Sequence, residues 1–555
     1  MKRVSTFFRN RRKTIMIGLA VVGLGFAAFK SADDYFEISK NIDIYTTLYK
    51  EVNTYYVDEV EPSKLMREGI DAMLNSLDPY TNFISESEIE DYRFQITGQY
   101  GGIGSMIVKK GDYVAISEPY EGYAAAKNDL RAGDILLEAD GKSLKGLNVD
   151  GVSKFLKGQP ETEVKLKIMR DGVEMTKVIK REEIKVKNVP YYGMINEHTG
   201  YIVLEEFRSD AGKEVADALK ELKKNTGLTS VILDLRGNPG GLLHEAVNIV
   251  NVFIDRNQLV VSTKGKVTEQ NRDYRTINVP VDMEIPLVVL TNKGSASASE
   301  IVSGTIQDLD RGVVLGQRTY GKGLVQSTRM LSYGTQLKIT TQKYYTPSGR
   351  CIQALDYSQR KEDGTVPNTP DSLRKEFKTK NGRRVLDGAG IDPDVKTTRT
   401  EYSKITNSLI SKLLVFDFAN KYRNTHDKIA SAKDFKLTEA DWKDFTNFLK
   451  DKEYDYQTET EKALEELKKK AEGEKYYEGI SKSYEQLKKE LGHDKMADLE
   501  KNKAEIMKLL EKEIATRYYY QRATWEVGFN DDPEITEALA LLNDMTRYKK
   551  ILAGR

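Results

Sequence analysis

The sequence predicts an α/β protein, a layered β-α-β domain over residues 186–400 joined to a β-rich module at 97–185 and to helical regions at 31–96 and 401–555. Three observations predict it. Between 199 and 400, short apolar runs alternate with helical patterns. Between 97 and 185, short alternating runs are separated by Gly-containing turn pairs. Beyond 401 the chain turns rich in Lys and Glu, with apolar residues at helical spacing.

The chain opens on Lys2, Arg3, Arg9, Arg11, Arg12 and Lys13 without an acid, followed by an apolar run over residues 15–29. A basic flank before a short apolar stretch reads as a signal peptide or an uncleaved signal-anchor over 1–30. Residues 34–96 read as helical. Ile70, Met73, Leu74 and Leu77 fall on one face, and Asp78-Pro79 is expected to stop that helix. This stretch reads either as an oligomerisation arm or as a packing helix pair.

In the β-rich module, Gly101-Gly102-Ile103-Gly104 leads into Ser105-Met106-Ile107-Val108. Asp140-Gly141 and Asp171-Gly172 mark tight turns, and Val164-Lys165-Leu166-Lys167-Ile168 alternates as a strand. In the layered domain the expected strands are 201–204, 230–235, 286–291 and 313–316, and the expected helices 211–224, 242–253 and 298–309. Sites collect at strand ends in such folds, which points to the loops 236–241 and 292–297. In the last region Tyr484 and Leu487, then Leu499, Ile506 and Leu510, mark long amphipathic helices.

Composition bounds the function. Lys plus Arg total 86 against 85 Asp plus Glu, so the net charge is +1 and a generally basic nucleic-acid binder is excluded. A charged fraction of 31% with mean hydropathy −0.55 excludes a polytopic membrane protein. One cysteine, Cys351, excludes a disulfide scaffold, and four histidines leave little for a His-rich metal site. A length of 555 residues suggests two to four domains.

The sharpest local feature is Gly294-Ser295-Ala296-Ser297-Ala298-Ser299-Glu300, three alternating serines opening a helix after a buried strand. A serine there lies at the positive helix end, where a developing oxyanion is favoured. The same residues read equally as a capping box, Ser297-x-x-Glu300. A serine nucleophile needs a base. His244 is the histidine near a candidate loop. A lysine also serves when burial removes its proton, and Lys322 sits between Gly321 and Gly323, where a plain hairpin turn is the alternative. The loop Asp234-Leu235-Arg236-Gly237-Asn238-Pro239-Gly240-Gly241 offers glycine amides as an anion nest or forms an ordinary turn.

Taken together, these blocks resemble the carboxyl-terminal processing, or tail-specific, serine proteases over about residues 36–400. The resemblance rests on the 234–241 loop, the 294–308 serine box, the 316–326 segment with Tyr320-Gly321-Lys322-Gly323, Tyr345-Thr346-Pro347-Ser348-Gly349-Arg350, and Gly390-Ile391-Asp392-Pro393-Asp394. It implies a crotonase/Clp-protease-like protease core with an inserted PDZ domain. It implies Ser297 as nucleophile, Lys322 as general base and Gln326 orienting the lysine. The amides of Ala298 and of Gly240 or Gly241 would form the oxyanion hole, with Glu300 and Asp308 as supporting acids. Ser295 and Ser299 are the rivals of Ser297. Gly101, Gly102, Ile103 and Gly104 match a PDZ carboxylate-binding loop, and Arg131 is a candidate gating residue, with a solvated turn arginine as its plain alternative. Residues 354–387 interrupt the family run and are expected to be a surface loop without a role.

The expected function is thus an exported endopeptidase of the bacterial cell envelope, on the periplasmic side, acting on proteins with free C-termini. No metal or cofactor is expected. An adaptor protein and a second copy of the chain are the expected partners besides substrate, and the membrane is touched only through the N-terminal segment. A non-enzymatic PDZ scaffold and a hydrolase pairing His244 with Ser297 are the competing readings.

Overall fold

The computed structural model describes residues 35–398, 401–491, 495–529 and 531–554. The expected signal or anchor at 1–30 lies outside the described residues. Among the described residues no helix is long and apolar enough to cross a membrane. The chain forms two compact units, the first ending at Phe83 and the second beginning at Ile84.

The first unit holds a helix over residues 35–55 and the helix Pro62–Asn75. Of the expected apolar face only Leu74 is buried, while Met73 and Leu77 are exposed. Phe36, Ile38, Ile42 and Leu48 of the first helix are exposed as well. The second helix ends three residues before Asp78, with Ser76 as C-cap. Asp78 instead shapes the following turn, its Oδ1 accepting the N–H groups of Tyr80 and Thr81.

The second unit begins with the β-rich module. An antiparallel sheet runs in the order Ser105–Lys110, Tyr113–Pro119, Ile135–Ala139, Glu163–Arg170, Val173–Lys180, with Lys142–Ser143 paired at its side. Val164, Leu166 and Ile168 alternate into the core with Val114, Ile116, Leu136 and, from the helix Val149–Leu156, Val152 and Leu156. Asp140-Gly141 and Asp171-Gly172 all have positive φ, the conformation that a two-residue hairpin turn requires. Gln99–Gly102 pairs with Glu182–Lys185, so the chain enters and leaves the module side by side.

The layered domain is built on a second sheet in the order Tyr191–Met194, Thr199–Val203, Ser230–Asp234, Leu287–Thr291, Val313–Gly316, Val395–Lys396, parallel from its second strand onward. Its inner strands are apolar throughout because both faces are covered. Ile202, Val231, Leu233, Leu287, Val289 and Val314 pack on one side with the helices Ala211–Leu222, Leu243–Phe253 and Ala298–Asp308. Tyr201, Val203, Ile232, Val288, Leu290, Val313 and Leu315 face the other side. There Ile535, Ala538, Leu541, Leu542 and Tyr548 of the last two helices, Pro533–Asn543 and Met545–Leu552, complete the sandwich. The helices Pro533–Asn543 and Met545–Leu552 of the C-terminal helical region thus form a layer of the domain that precedes it. A further sheet pairs Leu324–Met330 with Gln336–Tyr345, which pairs with Leu259–Gly265 and that with Arg272–Arg275.

The helical body between these parts gathers Phe418, Trp442, Phe445, Leu499, Ile506, Leu510 and Ile514 into its own core. Tyr484 is buried, whereas Leu487 is exposed. The helix Leu414–Thr425 of this body lies against the β-rich module, where Lys110 Nζ meets Asp417 Oδ1 at 2.5 Å and Asn424 Nδ2 donates to Asp171 Oδ2. Residues 354–387 are also more than a surface loop. Arg383, within that span, donates to Asp310, Asp394 and the Gln307 carbonyl, and Arg374 to Asp392.

Candidate active site

The strand Leu287–Thr291 leaves the sheet into a tight loop, and the helix Ala298–Asp308 starts seven residues later. Two asparagines set that loop against the neighbouring 234–241 loop. Asn292 Oδ1 accepts from both Gly237 N and Gly294 N at 2.9 Å. The Asn238 carbonyl accepts from Ala296 N and from Ser299 Oγ. Squeezed between them, Ser297 adopts φ 54° and ψ −111°. An L-residue held there stores on the order of 1–3 kcal/mol, which persists only where the surroundings over-determine it. A strained serine at a strand-to-helix turn presents its hydroxyl outward from the sheet end.

The three serines separate clearly. Ser295 and Ser299 are fully buried. Ser295 Oγ donates to the Leu235 carbonyl at 2.8 Å and accepts from Asn292 N, and Ser299 Oγ is committed to Asn238. Ser297 alone of the three is partly exposed. It is the helix N-cap, and the Glu300 carboxylate returns to its N–H at 2.8 Å, so the capping residue and the candidate nucleophile are one and the same.

Glu300 ties Ser297 to Lys322. Its Oε2 accepts the N–H groups of Ser297 and Lys322, at 2.8 and 2.9 Å. Its Oε1 accepts Gly321 N at 2.7 Å and Thr319 Oγ1 at 2.5 Å. Complete burial pushes this carboxyl up to about 7, against the pull of those four donors. Tyr344, also buried, makes a second tie. Its hydroxyl lies 3.0 Å from the Ser297 carbonyl and 2.7 Å from the Lys322 carbonyl, both acceptors. Thr319 carries the frame on to the 390–394 block, receiving Ile391 N at its Oγ1. Gln326 stands on the strand that follows Lys322, at a bulge, and its Nε2 donates to Thr340 Oγ1 at 3.1 Å. With Nε2 given to Thr340, the amide oxygen of Gln326 is left to accept from a lysine N–H, which the ammonium and the neutral amine both carry.

The oxyanion candidates also sort themselves. Ala298 is the first residue of its helix, so its N–H has no carbonyl one turn earlier to bond. A side chain on Gly240 would put its Cβ 2.7 Å from the Ser297 Cβ and 2.8 Å from the Ala298 nitrogen, so only glycine lets this loop reach the serine. The Gly240 N–H, however, turns back onto Asn238 Oδ1 at 2.9 Å. The bridge to Phe207 uses the Gly240 carbonyl and the Leu242 amide, leaving the Gly241 N–H outside it. Of the two glycines, Gly240 is thus the one whose amide is engaged within its own loop.

The remaining candidates lie elsewhere. Asp308, at the far end of the serine helix, is buried against Arg350 at 2.8 Å and accepts from Thr346 Oγ1 and Ser348 N. It therefore explains the 345–350 block as an anchor. His244 is exposed and its ring lies 3.5 Å from Glu245. Arg131 pairs with Asp129 two residues away in an exposed turn, whereas Arg170 spans Asp129 and the buried Asp134. Gly101 and Gly102 belong to the strand Gln99–Gly102, and Ile103 and Gly104 form the loop into Ser105–Lys110. Gly104 has φ 74°, and the strand it opens is an edge of its sheet, with helix Val149–Leu156 packed nearby.

Sequence reasoning missed Asn238, Asn292, Thr319 and Tyr344. Their partners include residues distant in sequence, and nothing in the residues beside them marks these contacts.

The comparisons with known proteins agree in kind. Residues 198–359 match the model "Peptidase family S41", residues 93–169 match "PDZ domain", and residues 405–542 match "Probable PDZ-protease, C-terminal helical domain". A "Probable CtpA-like serine protease" of Staphylococcus aureus strain MSSA476 is 33% identical over 428 residues, 70% of this chain and 84% of the relative. Its namesake in Staphylococcus haemolyticus is 37% identical over 307 residues, 55% of this chain and 61% of the relative. Among solved structures, the photosystem II D1 C-terminal processing protease aligns at 26% identity and TM-score 0.34, covering 64% of this chain and 92% of its own.

Proposed function

The chain belongs to the S41 peptidases as a CtpA-like serine protease with a PDZ domain, and from that premise we propose a Ser297/Lys322 endopeptidase that is exported and takes protein C-terminal tails. The observation that carries the proposal is the strained, partly exposed Ser297 joined to Lys322 through the same Glu300 carboxylate and the same Tyr344 hydroxyl.

In the proposed cycle neutral Lys322 takes the Ser297 proton as the hydroxyl oxygen attacks the peptide carbonyl. The tetrahedral oxyanion is received by the amides of Ala298 and Gly241. Protonated Lys322 then passes the proton to the leaving amine, and water releases the acyl group by the same steps in reverse order. Gln326 is assigned to orient the lysine. The edge strand Ser105–Lys110 supports tail binding, because a peptide C-terminus can add to it as a strand with its carboxylate at Gly101–Gly104. The basic leader and the apolar run at 15–29 support delivery to the periplasmic side of a bacterial envelope. The exposed apolar residues of the 35–55 helix support a homo-oligomer, and an adaptor remains part of the proposal.

The test is cleavage of an unstructured protein with a free apolar C-terminus by the chain from residue 31. Ser297→Ala and Lys322→Ala are each expected to abolish cleavage, while His244→Ala retains it. Cleavage retained by Lys322→Ala would overturn the lysine base.

A further inference from the structure

The loop that carries Gly240 and Gly241 begins at Arg236, and Arg236 is held by the other end of the chain. Its Nε and Nη2 bind Asp234, two residues back, at 2.6 to 3.0 Å. Asp234 ends a central strand and is itself buried, so this pair ties the root of the loop to the sheet and leaves the Nη1 side to a second anchor. Nη1 binds Asp532 Oδ2 and Glu534 Oε2, each at 2.7 Å. Asp532 caps the helix Pro533–Asn543 through Glu534 N and Ile535 N, and Glu534 is buried, its other oxygen accepting from Thr397. Three carboxylates thus meet one guanidinium, more negative charge than the arginine alone needs to be satisfied. The helix that supplies two of them packs Ile535, Ala538 and Leu541 on the sheet face opposite the serine helix.

We propose that this C-terminal helix is a positioning element for catalysis: through Asp532 and Glu534 it fixes Arg236, and thereby where the Gly241 amide meets the substrate carbonyl. Neither carboxylate is assigned contact with substrate. An oxyanion donor works only when held close to its productive position, and misplacement by about 1 Å costs on the order of 10²-fold in rate. Replacing both carboxylates by amides removes the two negative charges that face Nη1, so the guanidinium can shift toward Asp234 and carry the backbone at the root of the loop with it. The inference rests on the reading of Ser297 as nucleophile and Gly241 as oxyanion donor.

The experiment compares the full chain with Asp532→Asn/Glu534→Gln, Glu534→Gln, Ser297→Ala and Tyr548→Phe. Tyr548 joins the same helix pair to the sheet through Leu287, far along the chain from Arg236, and controls for loosened packing alone. The double variant is expected to lose at least tenfold in kcat with KM within twofold, and Ser297 labelling by a fluorophosphonate is expected to slow by the same factor. Glu534→Gln, which keeps one carboxylate, gives a smaller loss of the same kind and supplies the readout should the double variant not fold. Tyr548→Phe is expected to lower Tm and leave kcat unchanged. Unchanged kcat in the carboxylate variants, or a loss matching that of Tyr548→Phe at equal Tm, overturns the inference. Activity retained by Ser297→Ala would instead overturn the underlying reading.

Discussion

Glu300 and Asp308 stand at the two ends of one helix, both buried, and are satisfied in opposite ways. Asp308 faces a guanidinium, that of Arg350, itself fully buried. Glu300 faces three backbone N–H groups and one hydroxyl. The ion pair at the far end ties a distant block to the helix. The acceptor at the near end fixes backbone against backbone, so that two residues 25 apart in sequence share one frame. An arginine in place of those neutral donors would set a permanent cation beside the candidate base Lys322. Dipoles orient the same carboxylate without that charge.

The largest effects should come from removing either acid, and they should differ in kind. Glu300→Ala strands four donors, each worth about 1–3 kcal/mol when buried and unmet, and is expected to lower kcat by roughly 10²-fold or more. Asp308→Asn leaves Arg350 uncompensated, an expected loss of about 3–5 kcal/mol in urea unfolding, with kcat per folded molecule within about threefold. Equal losses of kcat in both would erase the distinction between the two ends.

A pH series sharpens it. The Glu300 carboxyl is raised by burial to about 7, so the folded state binds its proton more tightly than the unfolded state. Its contribution to stability is therefore full below the ordinary carboxylate range and is lost as pH rises to about 7, by roughly 3 kcal/mol at most. Urea midpoints of the parent should fall across that window, and those of Glu300→Gln should fall less. Next in size, Tyr344→Phe removes a hydroxyl shared by two carbonyls and keeps the ring. About 1–2 kcal/mol of stability and about tenfold in kcat are expected to go with it. The smallest effects belong to Ser295→Ala and Ser299→Ala, each near 1 kcal/mol in unfolding with kcat largely retained.

Much of the layered fold was legible because a strand covered on both faces has to be apolar throughout, as Val231 to Leu233 and Leu287 to Leu290 are. The turns at Asp140-Gly141 and Asp171-Gly172 were legible because their backbone demands those residues. The serine box drew attention to this turn and singled out Ser297, but its rivals Ser295 and Ser299 differ from it through the Leu235 and Asn238 carbonyls of another loop, which no local pattern shows. The same distance in sequence hid Tyr344, the commitment of the Gly240 amide to Asn238, and the burial of Arg383 inside a stretch that reads as surface. The apolar spacing over 70–77 predicted one covered face, yet only Leu74 of it is buried, because a spacing does not say what packs against it.

The closing helices carry a consequence in time. Arg236 and Asp532 are 296 residues apart, and the helical cover of the sheet face around Ile232 and Leu290 comes from Trp525 and residues after it. During synthesis every strand among the described residues, and Ser297, are made before that cover exists. Contacts closed over so long a span form late and slowly. The order of the chain thus works as a timer, in which the helices Pro533–Asn543 and Met545–Leu552 close a sheet whose strands were all made before them.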